Sequence, residues 1–352
     1  MEKIYTAKEI KTLIESTVLG QDTAVTRLSL LFSMHLAWIR RGDKEHPSPS
    51  ALIIGPTGCG KTHSIRTFAK ILKLPFIVVD STSLVPSGYK GRQVEEILYE
   101  LIIEANSMIR SEKQSESTET KKNIFDWGDD EVENNAVEKA QNGIVFFDEF
   151  DKLANRPEEK DSSWRYAIQR SLLKIIEGSL ICTSRGTNRG SGPIIDTSGV
   201  LFLAGGAFTG INDSAIRRLR TVELCRELTH SKQVDSVVSE DIINYGFMPE
   251  LVARIPILIN FDSLNESALL DILNNDNVSP LKVWKNHFES FGKKITFGPD
   301  FLSAIASRAS KMGLGARGLQ QVLFPYLTKH TYEFETSSDQ ELTLNGKHLT
   351  NQ

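Results

Sequence analysis

A glycine-rich octapeptide constrains the fold of this chain more than any other feature of its sequence. Residues 55–62 fit the pattern G-x-x-x-x-G-K-[ST]. They follow the apolar run Ala51–Ile54 and precede residues 65–72, in which apolar side chains recur at the spacing of one helix face. The sequence therefore predicts a buried strand, a tight turn and a helix in direct succession.

A turn of this kind can hold a phosphate chain. Its glycines let backbone N–H groups converge on phosphate oxygens, and the following helix directs its positive end at the same anion. Lys61 can reach the β- and γ-phosphates, and the Thr62 hydroxyl can ligate Mg²⁺. We therefore predict ATP and Mg²⁺ as cofactors. The predicted nucleotide-binding residues here are Gly55, Pro56, Thr57, Gly58, Cys59, Gly60, Lys61, Thr62 and His63.

Two interpretations of this segment compete with the prediction. A glycine-rich turn could merely link strand to helix, but its position between a predicted strand and a predicted helix disfavours that interpretation. Cys59 is either a redox switch or a small residue with no sensor role, and we favour the second.

A second apolar run, residues 144–147, ends in the carboxylates Asp148 and Glu149. Beside a metal ion and a triphosphate, Asp148 can hold the Mg²⁺ shell, and Glu149 can orient and activate a water molecule for in-line attack. We predict Glu149 as a catalytic residue and Asp148, with Thr62, as a metal ligand.

Nearly continuous apolar runs separated by helical patterns are typical of a parallel sheet covered by helices on both faces. The sequence therefore predicts a doubly wound α/β domain over residues 1–263 and a smaller, mainly helical domain over residues 264–352. The predicted parallel strands are 51–54, 76–79, 144–147 and 200–203; the later elements are helices 266–273, 299–309 and 318–326 and a strand 341–344.

The bulk composition excludes several classes of protein. Of 352 residues, 40% are apolar and 24% charged, which fits a globular chain, and the net charge of −4 gives no global attraction to nucleic acid. The three cysteines form no C-x-x-C pair, so a zinc site or a disulfide framework is not expected. The chain begins without the apolar core of a signal peptide and has no membrane-length apolar run, so a cytoplasmic location is expected.

Taken together, these residues resemble the AAA+ ATPases, and specifically their ClpX/HslU branch. The octapeptide and the Asp148-Glu149 pair are similar to the Walker A and Walker B motifs of that branch. Further segments match in the same order along most of the chain. Val18-Leu19-Gly20-Gln21 resembles the N-terminal box, and residues 203–208 resemble the segment that ends the sensor-1 strand. Residues 245–256 resemble box VII, and residues 315–319 resemble the sensor-2 motif.

The resemblance implies roles for individual residues. Arg254 is the arginine finger for the ATP of a neighbouring subunit, and Arg317 contacts the γ-phosphate within its own subunit. Val18 and Leu19 help to wall the adenine pocket. Tyr89 and Lys90, in Gly88-Tyr89-Lys90-Gly91, belong to an aromatic pore loop that grips an extended polypeptide.

The resemblance also implies an assembly and a substrate. A hexameric ring that unfolds or remodels a protein client is expected, with no membrane involved. We expect no counterpart of the zinc-binding domain of ClpX, in agreement with the cysteine count. Residues 185–192 differ from the basic tag-reading loop of ClpX, and residues 220–241 contain no Ile-Gly-Phe tripeptide. Partnership with a ClpP-type peptidase is therefore doubtful.

Other functions stay open at this point. A nucleic-acid-linked AAA+ protein, such as a loader or a mobile-element or defence component, has its best support in Arg217-Arg218-Leu219-Arg220, which a solvated helix face explains better. A non-processive assembly switch needs Glu149 and Arg254 but not Tyr89.

The acidic stretch 111–135 is either a surface insertion or, because it contains Phe125 and Trp127, a docking peptide. Two aromatic residues near position 165 add grip to a second pore loop or simply pack.

Overall fold

The computed structural model describes residues 5–42, 47–86, 91–116, 130–155, 162–184, 191–211, 237–335, 337 and 339–346. Five parallel strands form its central sheet, and the predicted doubly wound parallel architecture is confirmed. In their spatial order the strands are β2 (Phe76–Asp80), β3 (Ile144–Asp148), β6 (Leu201–Gly206), β1 (Ala51–Ile54) and β7 (Ile257–Asn260).

Helices cover both faces of this sheet because each central strand is apolar on both sides. In β1, Leu52 and Ile54 join the core cluster on one face, whereas Ala51 and Ile53 join the cluster on the other. The helices of the large α/β unit are α1 (Ala7–Glu15), α2 (Asp22–Arg41), α3 (Lys61–Leu72), α4 (Val94–Glu116), α5 (Asp130–Ala140), α6 (Ser162–Ile176), α7 (Ser239–Tyr245) and α8 (Pro249–Ala253). Helices α1 to α3 pack on one face, and α4 to α8 supply the core of the other.

Local sequence signals fix the beginnings and ends of several helices. Thr6 and Glu9 form a capping box at the start of α1, in which each side chain accepts from the backbone N–H of the other residue. Helix α2 ends at Gly42, whose φ of +61° is easiest for glycine. Phe32 of α2 stacks on Phe68 of α3 at a centroid distance of 4.5 Å, which fixes the helix that follows the glycine-rich loop.

The residues after position 263 build a separate, mainly helical core. A third apolar cluster draws its members from residues 264–344 alone. Its elements are α9 (Glu266–Asn274), α10 (Leu281–Ser290), β8 (Lys294–Phe297), α11 (Pro299–Met312), α12 (Ala316–Glu335) and β9 (Glu341–Leu344), and β8 and β9 pair in parallel. The division of the chain near residue 263 stays a prediction.

The sequence interpretation missed several elements. It did not predict β7, helix α10, β8, or the antiparallel hairpin of β4 (Leu180–Ser184) and β5 (Ser191–Asp196). It also ended the last helix at residue 326, whereas α12 continues to Glu335 through Pro325. Strand β2 lies at the edge of the sheet and is only half-buried along most of its length, although full burial was expected. None of the helices in the described part of the chain is long and apolar enough to span a membrane.

Candidate nucleotide site

The glycine-rich loop lies between β1 and α3, as the sequence predicts. Gly58 and Gly60 have φ angles of +78° and +99°, a region that side chains with a Cβ rarely adopt. Gly60 is the N-cap residue of α3, so the unpaired N–H groups of the first helical turn face the loop. This geometry suits the binding of an anion at the helix N-terminus.

Lys61 extends across the inside of its own loop. Its side chain is nine-tenths buried, and Nζ donates to the carbonyl oxygens of Gly55 at 2.6 Å and Pro56 at 3.0 Å. Among the described residues only carbonyl oxygens hold this buried ammonium and no carboxylate neutralises it, so it favours an anionic ligand. The donor set of the loop therefore fits the phosphates of a nucleotide.

Thr62, Asp148 and Glu149 meet at the carboxyl end of β3. The Thr62 hydroxyl donates to Oδ2 of Asp148 at 2.8 Å, and the N–H of Glu149 donates to Oδ1 at 3.0 Å. Glu149 has a φ of +53°, an uncommon conformation for a residue other than glycine, and its side chain is exposed. A hydroxyl and a single carboxylate oxygen side by side could hold Mg²⁺, which binds few protein ligands and retains water.

One cavity of about 420 Å³ collects most of the predicted residues. It is lined by Thr57, Gly58, Gly60, Lys61, Thr62, His63, Asp148, Glu149, Asp151, Lys152, Gly206, Ala207, Ala316 and Arg317. Two predicted acids, the lysine and an arginine thus face one space of the volume that a small-molecule site requires. Val18, Leu19, Gly55, Pro56 and Cys59 are not among its lining residues.

The turn before α12 closes this cavity from the C-terminal unit. The N–H of Ala316 donates to the carbonyl oxygen of Gly58 at 3.0 Å, and the Leu314 carbonyl lies so close that Gly58 has no room for a Cβ. Arg317, the next residue, is exposed and lines the cavity. A backbone contact with the phosphate loop therefore sets the position of Arg317.

The N-terminal box packs behind the loop. Gln21, which is buried, donates from Nε2 to the carbonyl oxygens of Cys59 at 3.2 Å and Asp262 at 2.7 Å. Its Oε1 accepts from the N–H of Asp262 at 3.1 Å, so one amide links α2, the loop and the segment after β7. Val18 is buried in the core, and Leu19 is partly buried. The sequence motif contained Gln21, but nothing in its spacing indicated this clasp.

Two other residues around the loop have defined surroundings. The ring nitrogen Nε2 of His63 lies 3.3 Å from the carbonyl oxygen of Thr17, which ties α3 to the N-terminal box. Burial raises the pKa of the Cys59 thiol, since it disfavours the thiolate. A raised pKa lowers the reactivity of the thiol and therefore favours the interpretation of Cys59 as a residue without a sensor role.

Sequence reasoning missed a contact between the turn after β3 and the residue that follows β6. Asp151 is buried, and its Oδ1 accepts from the N–H of Ala207 at 3.3 Å, while Oδ2 lies 3.5 Å from Nζ of Lys152. The carboxylate therefore holds the end of β6 against the turn that carries Glu149. Lys152 adds a second lysine to the lining of the cavity.

Arg254 lies away from the cavity that contains the other predicted catalytic residues. It follows α8 and precedes β7, which runs parallel to β1. Arg254 is therefore near the amino ends of these strands, whereas the glycine-rich loop follows the carboxyl end of β1. Its Nε and Nη2 both contact Oε1 of Glu177 at 3.1 Å. The predicted finger is therefore not brought together with the predicted base of its own chain.

The proposed pore residues Tyr89 and Lys90 lie outside the described residues, but the stems of their loop are described. Leu84 and Arg92 form an isolated β-bridge, and the N–H of Val85 donates to the carbonyl oxygen of Arg92 at 3.1 Å. Arg92 is ion-paired with Glu100 of α4. The two ends of the loop are thus held together beside the carboxyl end of β2.

Several other sequence predictions fall wholly or largely outside the described residues. These are the Arg217–Arg220 cluster, the greater part of the acidic stretch 111–135, including Phe125 and Trp127, and most of residues 185–192 and 220–241. In the second candidate pore segment, Trp164 packs against the core with Arg165 over its ring, whereas Tyr166 is 45% exposed. Packing therefore accounts for Trp164 but not for Tyr166.

Comparison with known proteins agrees with this geometry. The AAA domain family described as the Cdc48 subfamily matches residues 46–258, more than half of the chain. Two proteins named ATP-dependent Clp protease ATP-binding subunit ClpX, from two strains of Bacteroides fragilis, are each 30% identical to this chain over 362 residues. Each match covers 97% of this chain and 80% of the relative. The chain therefore belongs to the AAA+ ATPases as a ClpX-like member and hydrolyses ATP.

Proposed function

We propose that this chain is a protein-remodelling motor, in which ATP hydrolysis at sites shared between adjacent copies in a ring drives a client polypeptide through a central pore. One observation carries the proposal. Glu149, Lys61 and Arg317 face a single cavity at the carboxyl ends of the strands, whereas Arg254 lies near their amino ends. A four-residue strand such as β7 is about 13 Å long, so Arg254 is suited to serve a neighbouring chain rather than its own.

The residues of the cavity have complementary tasks in this proposal. Lys61 and the loop N–H groups hold the phosphates, and Thr62 and Asp148 hold Mg²⁺, which neutralises charge on the phosphate oxygens when bound. Glu149 orients the attacking water and accepts its proton. Arg317 from the same chain and Arg254 from the neighbour stabilise the negative charge that develops during transfer.

The client is expected to be held by Tyr89 and Lys90. Their loop follows β2, which is three strands from β1, or about 14 Å along the sheet. This separation leaves room for the nucleotide and the client at different places on one edge. The paired stems at Leu84 and Arg92 support the proposal, because a loop with fixed ends can transmit movement of the sheet to its tip.

The decisive experiment separates ATP hydrolysis from mechanical work. A Glu149→Gln protein with ATP is used to retain clients, which are then identified and purified. Unfolding of such a client by the wild-type protein is followed as loss of its resistance to proteolysis. We expect Tyr89→Ala to retain ATP turnover and to lose client unfolding, while Tyr332→Ala, an exposed tyrosine on α12, retains both.

The other outcomes distinguish the competing functions. Client release without any loss of client structure in wild-type and Tyr89→Ala proteins alike would favour the assembly switch and contradict threading. A gel shift with DNA that weakens steeply as salt rises would support a nucleic-acid function instead. The likeness to relatives named as subunits of a protease does not by itself assign a peptidase partner to this chain.

A further inference from the structure

Arg254 is ion-paired with Glu177, a residue that has no role in the proposed function. Glu177 follows the end of α6, and one of its carboxylate oxygens accepts both Nε and Nη2 of Arg254 at 3.1 Å. Two contacts from one guanidinium restrict its rotation more than a single contact does. The side chains of Arg254 and Glu177 remain 52% and 41% exposed, so a second copy of the chain can reach the pair.

The same helix is joined to the catalytic turn by a buried glutamine. Gln169 of α6 is fully buried, and its Nε2 donates to the carbonyl oxygen of Leu153 at 2.7 Å, five residues after the end of β3. Its Oε1 accepts from the N–H of Met248 at 2.9 Å, directly before α8. A single side chain thus links the turn after Glu149 to the start of α8, the helix directly before Arg254.

A second contact supports this link. The N–H of Asn155 donates to the carbonyl oxygen of Gly246 at 2.8 Å, and the Asn155 backbone leaves no room for a Cβ on Gly246. The segment before α8 is therefore packed closely against the chain that leaves the catalytic turn. Movement of that turn cannot leave the segment before α8 in place without breaking these hydrogen bonds.

Helix α6 runs from the carboxyl ends of the sheet strands towards their amino ends. Gln169 lies near the carboxyl end of β3, whereas Gly178, next to Glu177, packs against Ser198 just before β6 begins. Gln169 and Glu177 are eight positions apart, which corresponds to about 12 Å along a helix and is close to the length of a four-residue strand. The helix therefore contacts the turn after Glu149 through Gln169, and the residue after its end, Glu177, contacts Arg254.

We propose that Glu177 and Gln169 are positioning residues, which fix Arg254 relative to the catalytic turn of its own chain and orient it towards the ATP of a neighbouring copy. The inference rests on the proposed function, since it requires Arg254 to act between chains. Neither residue lines the cavity proposed to hold the nucleotide of its own chain. Their effect on turnover is exerted through Arg254.

The conservative variant Glu177→Gln tests the orienting contact. It keeps the shape of the side chain and removes its charge at a half-exposed position, where ion pairs contribute modestly. We expect kcat for ATP hydrolysis to fall about two- to fivefold with KM unchanged, because an interaction is lost only in the transition state. Glu177→Asp should recover part of the loss. Glu138→Gln, the same charge change on an exposed residue of α5, should leave turnover unchanged.

A mixing experiment shows whether Glu177 acts on a neighbouring site. The Glu177→Gln chain has an intact phosphate loop, and a Lys61→Ala chain has an intact Arg254. With Lys61→Ala in excess, turnover per Glu177→Gln chain should rise to the wild-type value. The matched mixture of Arg254→Ala with Lys61→Ala serves as the reference.

The two mixtures separate failure of this inference from failure of the proposed function. Recovery with Arg254→Ala but not with Glu177→Gln would overturn the positioning role and leave the shared site standing. No recovery in either mixture would remove the shared site on which both rest. An unchanged kcat in Glu177→Gln alone would also overturn the inference.

Gln169→Met provides an independent variant of nearly equal size. It leaves the Leu153 carbonyl and the Met248 N–H unpaired, so we expect a larger fall in kcat, about tenfold, with ATP affinity retained. The melting temperature of this variant shows whether it is folded. A folded Gln169→Met protein with normal kcat would contradict the link through α6, whereas Glu177→Gln tests the proposal at an exposed position if Gln169→Met does not fold.

Discussion

Replacement of Gly58 by alanine tests whether the contact between the phosphate loop and the turn before α12 holds the nucleotide site together. Gly58 has a φ of +78°, and a methyl group there would lie 2.1 Å from the carbonyl oxygen of Leu314. An ordinary contact between a carbon and a carbonyl oxygen is at least about 3.3 Å. The Leu314 oxygen belongs to the backbone, so the loop and the turn must move apart.

Gly313→Ala is the matched control. Gly313 has a similar φ of +66°, and no atom lies within 4 Å of the position that a Cβ would occupy. Its replacement should therefore cost only the left-handed conformation, about 1–2 kcal/mol. Gly58→Ala has this cost and two others: the overlap, about 1–3 kcal/mol, and the weakened hydrogen bond from Ala316, about 0.5–1.5 kcal/mol.

We therefore expect Gly58→Ala to lower the free energy of unfolding by about 2–4 kcal/mol more than Gly313→Ala does. Because the movement also displaces the loop and Arg317, ATP affinity should fall at least about tenfold in Gly58→Ala and not in Gly313→Ala. Urea unfolding followed by circular dichroism measures the first difference, and titration with a fluorescent ATP analogue measures the second. Equal stability and equal affinity in the two variants would refute the close contact.

Three further predictions concern single side chains. Glu149→Gln should bind ATP but release phosphate about 10²- to 10⁴-fold more slowly, and near-normal release would contradict its role as the base. Arg317→Ala should slow phosphate release at least about tenfold without changing the melting temperature, because this exposed side chain forms no ion pair within the described residues; an unstable variant would instead indicate a structural role. Burial lowers the pKa of His35 from 6.5 to about 4, so below pH 6.5 the unfolded chain binds a proton that the folded chain does not. As the pH is lowered from 6.5 to 4, the free energy of unfolding should therefore fall by up to about 1.4 kcal/mol per pH unit. Urea titrations at several pH values measure this fall, and the part of it that comes from His35 should be missing in His35→Gln.

The central sheet was predictable because its inner strands carry their own signal. Residues such as Phe146 and Phe147 are buried on opposite faces, so β3 appears in the sequence as an unbroken apolar run. Strand β7 is as short as β1, but it is the outermost strand and only Ile259 is fully buried, so its apolar run is weaker, and it follows directly on the segment matched to box VII. In the hairpin β4–β5 exposed and buried residues alternate, and Leu180 is 73% exposed, so no continuous apolar run marked it.

The candidate site was predictable where its residues belong to motifs that the sequence itself displays. The phosphate loop and the end of β3 each carry a motif, so Thr62 and Asp148 were assigned to one site although 86 residues separate them, and the two side chains share a hydrogen bond in the structure. The clasps of Gln21 and Gln169 depend on backbone groups that are distant in sequence. No spacing rule indicates which buried amide will meet such groups, since the global fold alone brings them together.

The most direct test of ATP hydrolysis at a site shared between chains is turnover in mixtures of Arg254→Ala and Lys61→Ala chains at varied ratios. Each variant alone should hydrolyse little ATP, since one lacks the finger and the other the phosphate-binding lysine. If the site is shared, mixed assemblies should regain turnover, with a maximum at intermediate ratios where intact loops lie beside intact fingers. Full turnover by Arg254→Ala alone, or none at any ratio, would contradict hydrolysis at a junction between chains.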